Sequence, residues 1–154
     1  MQTHKVTESV SLHILQPMAI EASMPPVIDK VCSYIPSFFF SEIDVVYIGD
    51  FDFLTESFET YKYMEGAIYI TNTPMSEEDL FLDLMHAICD SVQQKNSYLI
   101  YENTNVSEEI DIEYNFTDAL VDYLLSKDKD AFASEKPNLY KLIQEIIKNE
   151  SHFI

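Results

Sequence analysis

Arginine and tryptophan are missing from this chain of 154 residues, and glycine occurs only twice. Without arginine there is no bidentate guanidinium for phosphate groups or guanine bases, so we expect no direct binding of nucleic acid. The scarcity of glycine disfavours Gly-rich phosphate loops, dinucleotide-binding fingerprints and hairpin-rich barrels. Two cysteines are too few for a disulfide scaffold. The apolar, helix-like surroundings of Cys32 and Cys89 predict two buried free thiols.

Positive charge is also scarce, because nine lysines stand against 27 acidic residues for a formal net charge of −18. This charge should repel nucleic acids and anionic membranes. No run of about 18 apolar residues occurs, so we expect no transmembrane helix. Met1–Ser11 is mostly polar, which predicts no signal peptide and an intracellular protein. The length fits one domain over residues 1–154 with a sizeable core.

Three stretches have the pattern of β-strands. Lys5–Leu15 alternates between apolar and polar residues, which predicts a half-buried strand, and residues 43–48 and 67–71 are β-branched and aromatic. Helical periodicity or capping residues mark four further segments, which begin near Pro25, Glu77, Phe116 and Leu139. We therefore predict an α+β domain, with a small sheet of about three strands (near 5–15, 43–48 and 67–71) and three or four helices packed on it. The segments predicted as loops or connectors are Phe51–Met64, either as a plain loop or with one helical turn, Lys95–Glu113 and Lys127–Asp130.

The helix predicted over residues 77–94 has two distinct faces. One is an apolar stripe that we expect to be buried, formed by Phe81, Leu84, Met85, Ile88 and Val92. The other carries polar residues at steps of three or four, namely Asp79, Asp83, His86 and Asp90. The polar face therefore points away from the predicted core.

The stretch Gly66–Gln94 reads GAIYITNTPMSEEDLFLDLMHAICDSVQQ, with His86 in the middle of its helix. Together with SEIDVVYIGDFDFL and MEGAIYITN, it resembles a family of small phage-encoded proteins with a minimal zinc-metallopeptidase, or zincin-like, fold. The resemblance covers roughly residues 36–95 and implies a zincin-like minimal core in which this helix lies against the sheet. Where the family has His-Glu-x-x-His, this chain has His86-Ala87-Ile88-Cys89-Asp90.

The altered motif predicts a weakened metal site. Because positions i and i+4 share one helical face, His86 and Asp90 can still offer two zinc ligands. Ala87 replaces the glutamate that takes a proton from metal-bound water, so we predict no catalytic residue. Asp83, one turn earlier, is the predicted partner that orients His86. No motif selects a third ligand, and the resemblance points to the helix after the long loop, with candidates Glu113, Asp118 and Asp122. The isolated histidines are expected on the surface: His4, His13 and His152.

These observations predict a degenerate metallopeptidase-like protein without catalytic activity, used as a binding or structural component with a protein partner. We expect no cofactor, or weakly bound Zn²⁺. One alternative is an active metal-dependent hydrolase, a metallopeptidase that uses His86 and Asp90. Another is an acidic protein that mimics nucleic acid and inhibits a host protein, with its candidate surface at Glu108, Glu109, Asp111 and Glu113. The resemblance to phage proteins places the chain in the cytoplasm of a bacterial host.

Overall fold

The computed structural model describes residues 1–103, 109 and 116–151. Within them, five strands form one mixed sheet in the order β1-β2-β3-β5-β4. The three inner strands β2, β3 and β5 are parallel, and each edge strand is antiparallel to its neighbour. The strands are β1 (Gln2–Lys5), β2 (Ser11–Ile14), β3 (Val45–Gly49), β4 (Tyr61–Met64) and β5 (Ala67–Thr71).

Seven α-helices occur in the described residues, with a short 3-10 helix at Ser37–Phe40. None of the seven is both long enough and apolar enough to cross a lipid bilayer. The helices are α1 (Met24–Tyr34), α2 (Asp52–Ser57), α3 (Glu77–Lys95), α4 (Ser97–Glu102), α5 (Phe116–Leu125), α6 (Lys129–Glu135) and α7 (Pro137–Ser151).

The α+β class is confirmed, but the prediction of about three strands and three or four helices is wrong. The predicted strand Lys5–Leu15 spans the last residue of β1, a chain reversal and β2. At the reversal, the Val6 amide donates a hydrogen bond to the Val10 carbonyl at 2.9 Å. The alternation of side chains continues through this reversal, so the sequence pattern conceals it. Gln2 consequently pairs with Ile14, and an additional edge strand, β1, precedes the predicted one.

The predicted loop Phe51–Met64 contains both α2 and the second edge strand, β4. Strand β4 returns to β5 through the pair Glu65 and Gly66, which have φ angles of 47° and 87°. Positive φ at both positions suits the right-handed twist of a two-residue hairpin. A Cβ on Gly66 would meet an Asp44 carboxylate oxygen at 2.6 Å, so a larger residue would clash there.

Helix predictions were more successful where a cap or a strong apolar period was present. Ser76 accepts a hydrogen bond from the Asp79 amide at 3.1 Å and starts α3 as predicted. Two short helices were missed, α4 in the predicted loop Lys95–Glu113 and α6, which begins at Lys129 inside the predicted Lys127–Asp130 connector. Cys89 is buried as predicted, but Cys32 lies on the exposed side of α1, so that part of the thiol prediction is wrong.

The sheet has one buried face and one outward face. Side chains of α1, α3, α5, α6 and α7 join the inward strand residues in one core. Helix α3 is central to this layer, since it contacts β4, β5, α1 and α5. The inward strand residues are almost completely buried: Leu12, Ile14, Val46, Ile48, Ile68 and Ile70.

The carboxyl end of α3 is anchored to α7 by a buried charge. Glu150 is 2 % exposed and accepts hydrogen bonds from the Lys95 ammonium at 3.0 Å and the Asn96 amide at 2.8 Å. A buried carboxylate is tolerated only when it is paired in this way. The pairing connects the last turn of α3 to the last turn of α7.

Candidate functional site

Helix α3 presents its motif positions to α5 and to the segment that leads into β4. The predicted apolar stripe is confirmed, because all five of its residues are buried. More of the helix is buried than the stripe alone, including Leu80, Ala87, Cys89 and Ser91. The reason is that the sheet, α1 and α5 enclose α3 from several sides. Ala87, at the position of the family's glutamate, is therefore in the core.

The His86 ring is held through both of its nitrogens. Nδ1 lies 2.8 Å from the Leu82 carbonyl oxygen, one turn earlier in α3. Nε2 lies 3.2 Å from Oδ1 of Asp118 on α5. The ring therefore connects a turn of its own helix to Asp118 of α5.

Asp90 makes a second connection between the same two helices. The buried hydroxyl of Thr117, which precedes Asp118 in the first turn of α5, donates to Asp90 Oδ1 at 2.6 Å. Gln93 joins this group, since its Oε1 accepts from the Thr117 amide at 2.9 Å and also contacts the Thr117 hydroxyl. Burial raises the pKa of Asp90, and the Thr117 hydrogen bond opposes that rise. We call Asp90, Gln93 and Thr117 the Thr117 network.

Asp83 contacts a different part of the chain. Its Oδ1 accepts a hydrogen bond of 2.9 Å from the hydroxyl of Thr60, just before β4. Burial raises the pKa of Asp83 to about 6, while the Thr60 hydrogen bond and the nearby His86 act in the opposite direction. Asp83 was predicted to orient His86, whereas the ring nitrogens contact Leu82 and Asp118. Its influence on His86 is electrostatic.

A cleft of about 370 Å³ opens beside His86. Its lining includes Thr60, Tyr61, Met75, Asp83, His86 and Asp118. The Tyr61 ring lies 5.9 Å from the imidazole, and burial, followed by the charge of Asp90, raises the pKa of its hydroxyl. Met75 is 87 % exposed at this cleft. A larger cavity of about 790 Å³ is lined by the amino-terminal residues and the segment after β2, and contains none of the motif side chains.

Zinc sites use three or four protein ligands. His86 and Asp118 lie side by side, but the described residues contain no group of three His, Cys, Asp or Glu side chains that could hold an ion. Asp90 is engaged by Thr117 instead. Of the predicted third ligands, Asp118 contacts His86, Asp122 lies one turn further along α5, and Glu113 is outside the described residues.

The predicted acidic surface falls largely outside the described residues, as Glu108, Asp111 and Glu113 all do. Its remaining member, Glu109, accepts hydrogen bonds from the Asn138 and Leu139 amides at 2.9 and 2.6 Å. These are free amides of the first turn of α7, where a carboxylate is favourable. Glu109 therefore caps the amino terminus of α7. The histidines His4 and His13 are half-buried on β1 and β2, and His152 is not among the described residues.

Two important side chains, Thr60 and Thr117, could not have been selected from the sequence. Each is an ordinary threonine outside any motif, and its role depends on which carboxylate the fold brings to it. Asp118 was one of three open candidates, and only the packing of α5 on α3 distinguishes it. Comparisons with protein-family models, with curated proteins and with solved structures find no match for this chain.

Proposed function

We propose that this chain is a non-catalytic protein of metallopeptidase-like ancestry that acts by binding another protein. The observation that carries the proposal is the engagement of both His86 nitrogens, by the Leu82 carbonyl and by Asp118. Zinc binding at Nε2 would compete with the contact between His86 and Asp118.

The other motif positions support the same conclusion. Asp90 accepts from Thr117, so its carboxylate connects two helices. Ala87 has no proton-accepting group and lies in the core. Asp83 accepts a hydrogen bond from the Thr60 hydroxyl, so its carboxylate connects α3 to the segment before β4. The polar face of α3 therefore connects this helix to α5 and to the segment before β4.

Exposed apolar side chains support the binding half of the proposal. Phe58 is 96 % exposed and ends α2 with a φ of 57°. This left-handed position favours glycine, and a bulky residue there costs on the order of 1 kcal/mol. Met75, at the cleft, is almost as exposed. We infer that the partner covers Phe58 and Met75, since burial of large exposed apolar side chains favours association.

A cleavage assay beside a zinc titration tests the proposal. We expect no chelator-sensitive peptide cleavage by the wild type, and no equimolar zinc binding that depends on His86. The variant Asp90→His places two imidazoles on one face of α3 and leaves the buried Ala87 unchanged. It should gain zinc affinity but no peptidase activity, because Ala87 supplies no base. Chelator-sensitive cleavage by the wild type that is lost in His86→Ala would overturn the proposal.

The proposal that this chain binds another protein is tested separately. The experiment is crosslinking in the bacterial host followed by mass spectrometry. A specific crosslinked protein should disappear with Phe58→Gly or Met75→Ser. The matched control is Tyr98→Ser, which removes another exposed aromatic side chain from the distant α4 segment. If no crosslink depends on Phe58 or Met75, these side chains do not mark a partner surface.

A further inference from the structure

The outward face of the sheet presents a continuous row of side chains across all five strands. The strand register places them side by side in the order Thr3, His13, Tyr47, Tyr69 and Lys62. A second row lies next to it: Lys5, Ser11, Val45, Ala67 and Met64. These residues are half-buried or exposed, whereas the inward side chains of the three inner strands are buried. We call these two rows the outward face.

Aromatic rings occupy the centre of the outward face. The Tyr47 ring lies 5.9 Å from His13 and 5.7 Å from Tyr69. Phe51 and Phe53 come from the segment after β3 and meet Tyr69 edge to face at 5.3 and 5.2 Å. This arrangement is typical of packed aromatic groups and adds to the stability of the face. The rings form one aromatic cluster next to the parallel strands β3 and β5.

The outward face differs in charge from the whole chain. Its ten positions include two lysines and a histidine, and none is an aspartate or a glutamate. The chain as a whole carries 27 acidic residues and a net charge of −18. A basic partner would be attracted by carboxylates, so a surface without them does not favour such a partner. The pattern favours a partner that is itself acidic.

We propose that the outward face binds a second copy of this chain, to form a dimer with two-fold symmetry. Two molecules of charge −18 repel each other over most of their surfaces, and this face is where that repulsion is least. Parallel strands are usually covered on both sides, and two sheets pack well face to face about 10 Å apart. A two-fold axis would place the same aromatic rows against each other.

Charges around the outward face are self-complementary. Lys5 and Lys62 lie on the two edge strands, at the sides of the face. Exposed acids lie beyond the ends of the inner strands, with Asp44 and Glu65 at one end and Asp50 and Asp52 at the other. When two sheets cross at near right angles, the sides of one lie over the strand ends of the other. The lysines of each copy would then approach the acids of its partner.

Sedimentation equilibrium of the purified chain tests the proposal. We expect a dimer whose dissociation constant falls as the salt concentration rises from about 0.05 to about 0.5 M, since screening weakens the repulsion between the two molecules. A basic protein partner or a nucleic acid would show the opposite dependence on salt. A wild type that stays monomeric at every concentration and salt overturns the proposal.

Two substitutions identify the surface. Tyr69→Glu puts a carboxylate in the centre of the face and should raise the dissociation constant by about 100-fold or more. Tyr98→Glu adds the same charge at an exposed site on α4 and should leave dimerisation nearly unchanged. If Tyr69→Glu does not fold, Lys5→Glu with Lys62→Glu tests the edges of the face without disturbing the aromatic cluster. A dimer that survives these substitutions as well as Tyr98→Glu would place the interface elsewhere.

Discussion

The two faces of α3 are held in place by different kinds of interaction. The apolar face is buried against the sheet and neighbouring helices, with Leu84 and Met85 no more than 2 % exposed. The polar face is held by single hydrogen bonds from His86 to Asp118 and from Thr117 to Asp90. The apolar face can be buried by any apolar surface of the right shape, so it does not require particular partner residues. The second face needs one particular group at each position.

The apolar stripe fixes the position of α3 whatever the polar face carries, because its five side chains are buried in the core. The polar face adds hydrogen bonds that connect α3 to Asp118 and Thr117 of α5.

Removing a side chain from the apolar face should have the largest effect. Leu84→Ala leaves a cavity in the core and should lower the free energy of unfolding by about 2–5 kcal/mol. The matched control is Leu82→Ala on the same helix, where the side chain is half-buried at the cleft, and the loss should be about 1 kcal/mol. Urea denaturation measures both. Equal losses for the two variants would mean that the apolar face is not what positions α3.

Breaking the polar face should cost less. Thr117→Val keeps the shape of the side chain but removes the hydroxyl that Asp90 needs, which should lower the free energy of unfolding by about 1–3 kcal/mol. Thr55→Val is the control, since Thr55 is exposed on α2 and contacts a carbonyl of its own helix. A Thr117→Val variant as stable as the wild type would show that the Thr117 network does not join α3 to α5.

The smallest predicted effect concerns Asp83 and depends on pH. Burial raises its pKa to about 6, so between about pH 4 and pH 6 the native state holds a proton that the unfolded chain releases. The contribution of Asp83 to stability is therefore most favourable below this range and declines as the pH rises through 6. Asp83→Asn cannot ionise, so its stability relative to the wild type should improve on the order of 1 kcal/mol from pH 4 to pH 7, after allowance for solvent screening.

Thr60→Val sharpens this test. The Thr60 hydroxyl stabilises the ionised form of Asp83, so its removal should raise the pKa further and move the decline in stability to higher pH. Denaturant titrations at several pH values would show the shift. An Asp83→Asn variant that differs from the wild type by the same amount at pH 4 and pH 7 would contradict the assignment.

The sequence predicted those parts of the fold that depend on neighbouring residues. The Ser76 cap, the apolar stripe of α3 and the strand β3 follow from local patterns, and the structure confirms them. The edge strands β1 and β4 were missed because a hairpin can preserve alternation and because aromatic, acidic stretches show no clear period. The site depends on pairs far apart in sequence, such as Thr60 with Asp83. No local pattern specifies such a pair.

The most direct test of the central claim is the state of the His86 ring when zinc is offered. Long-range proton–nitrogen NMR spectra of the ring nitrogens, assigned by comparison with His86→Ala, are recorded before and after an equimolar addition of Zn²⁺. If the polar face serves to connect α3 to α5, both His86 nitrogen signals should stay unchanged. A zinc-dependent shift of Nε2 with loss of its proton would show that His86 leaves Asp118 to bind metal, and would contradict the account.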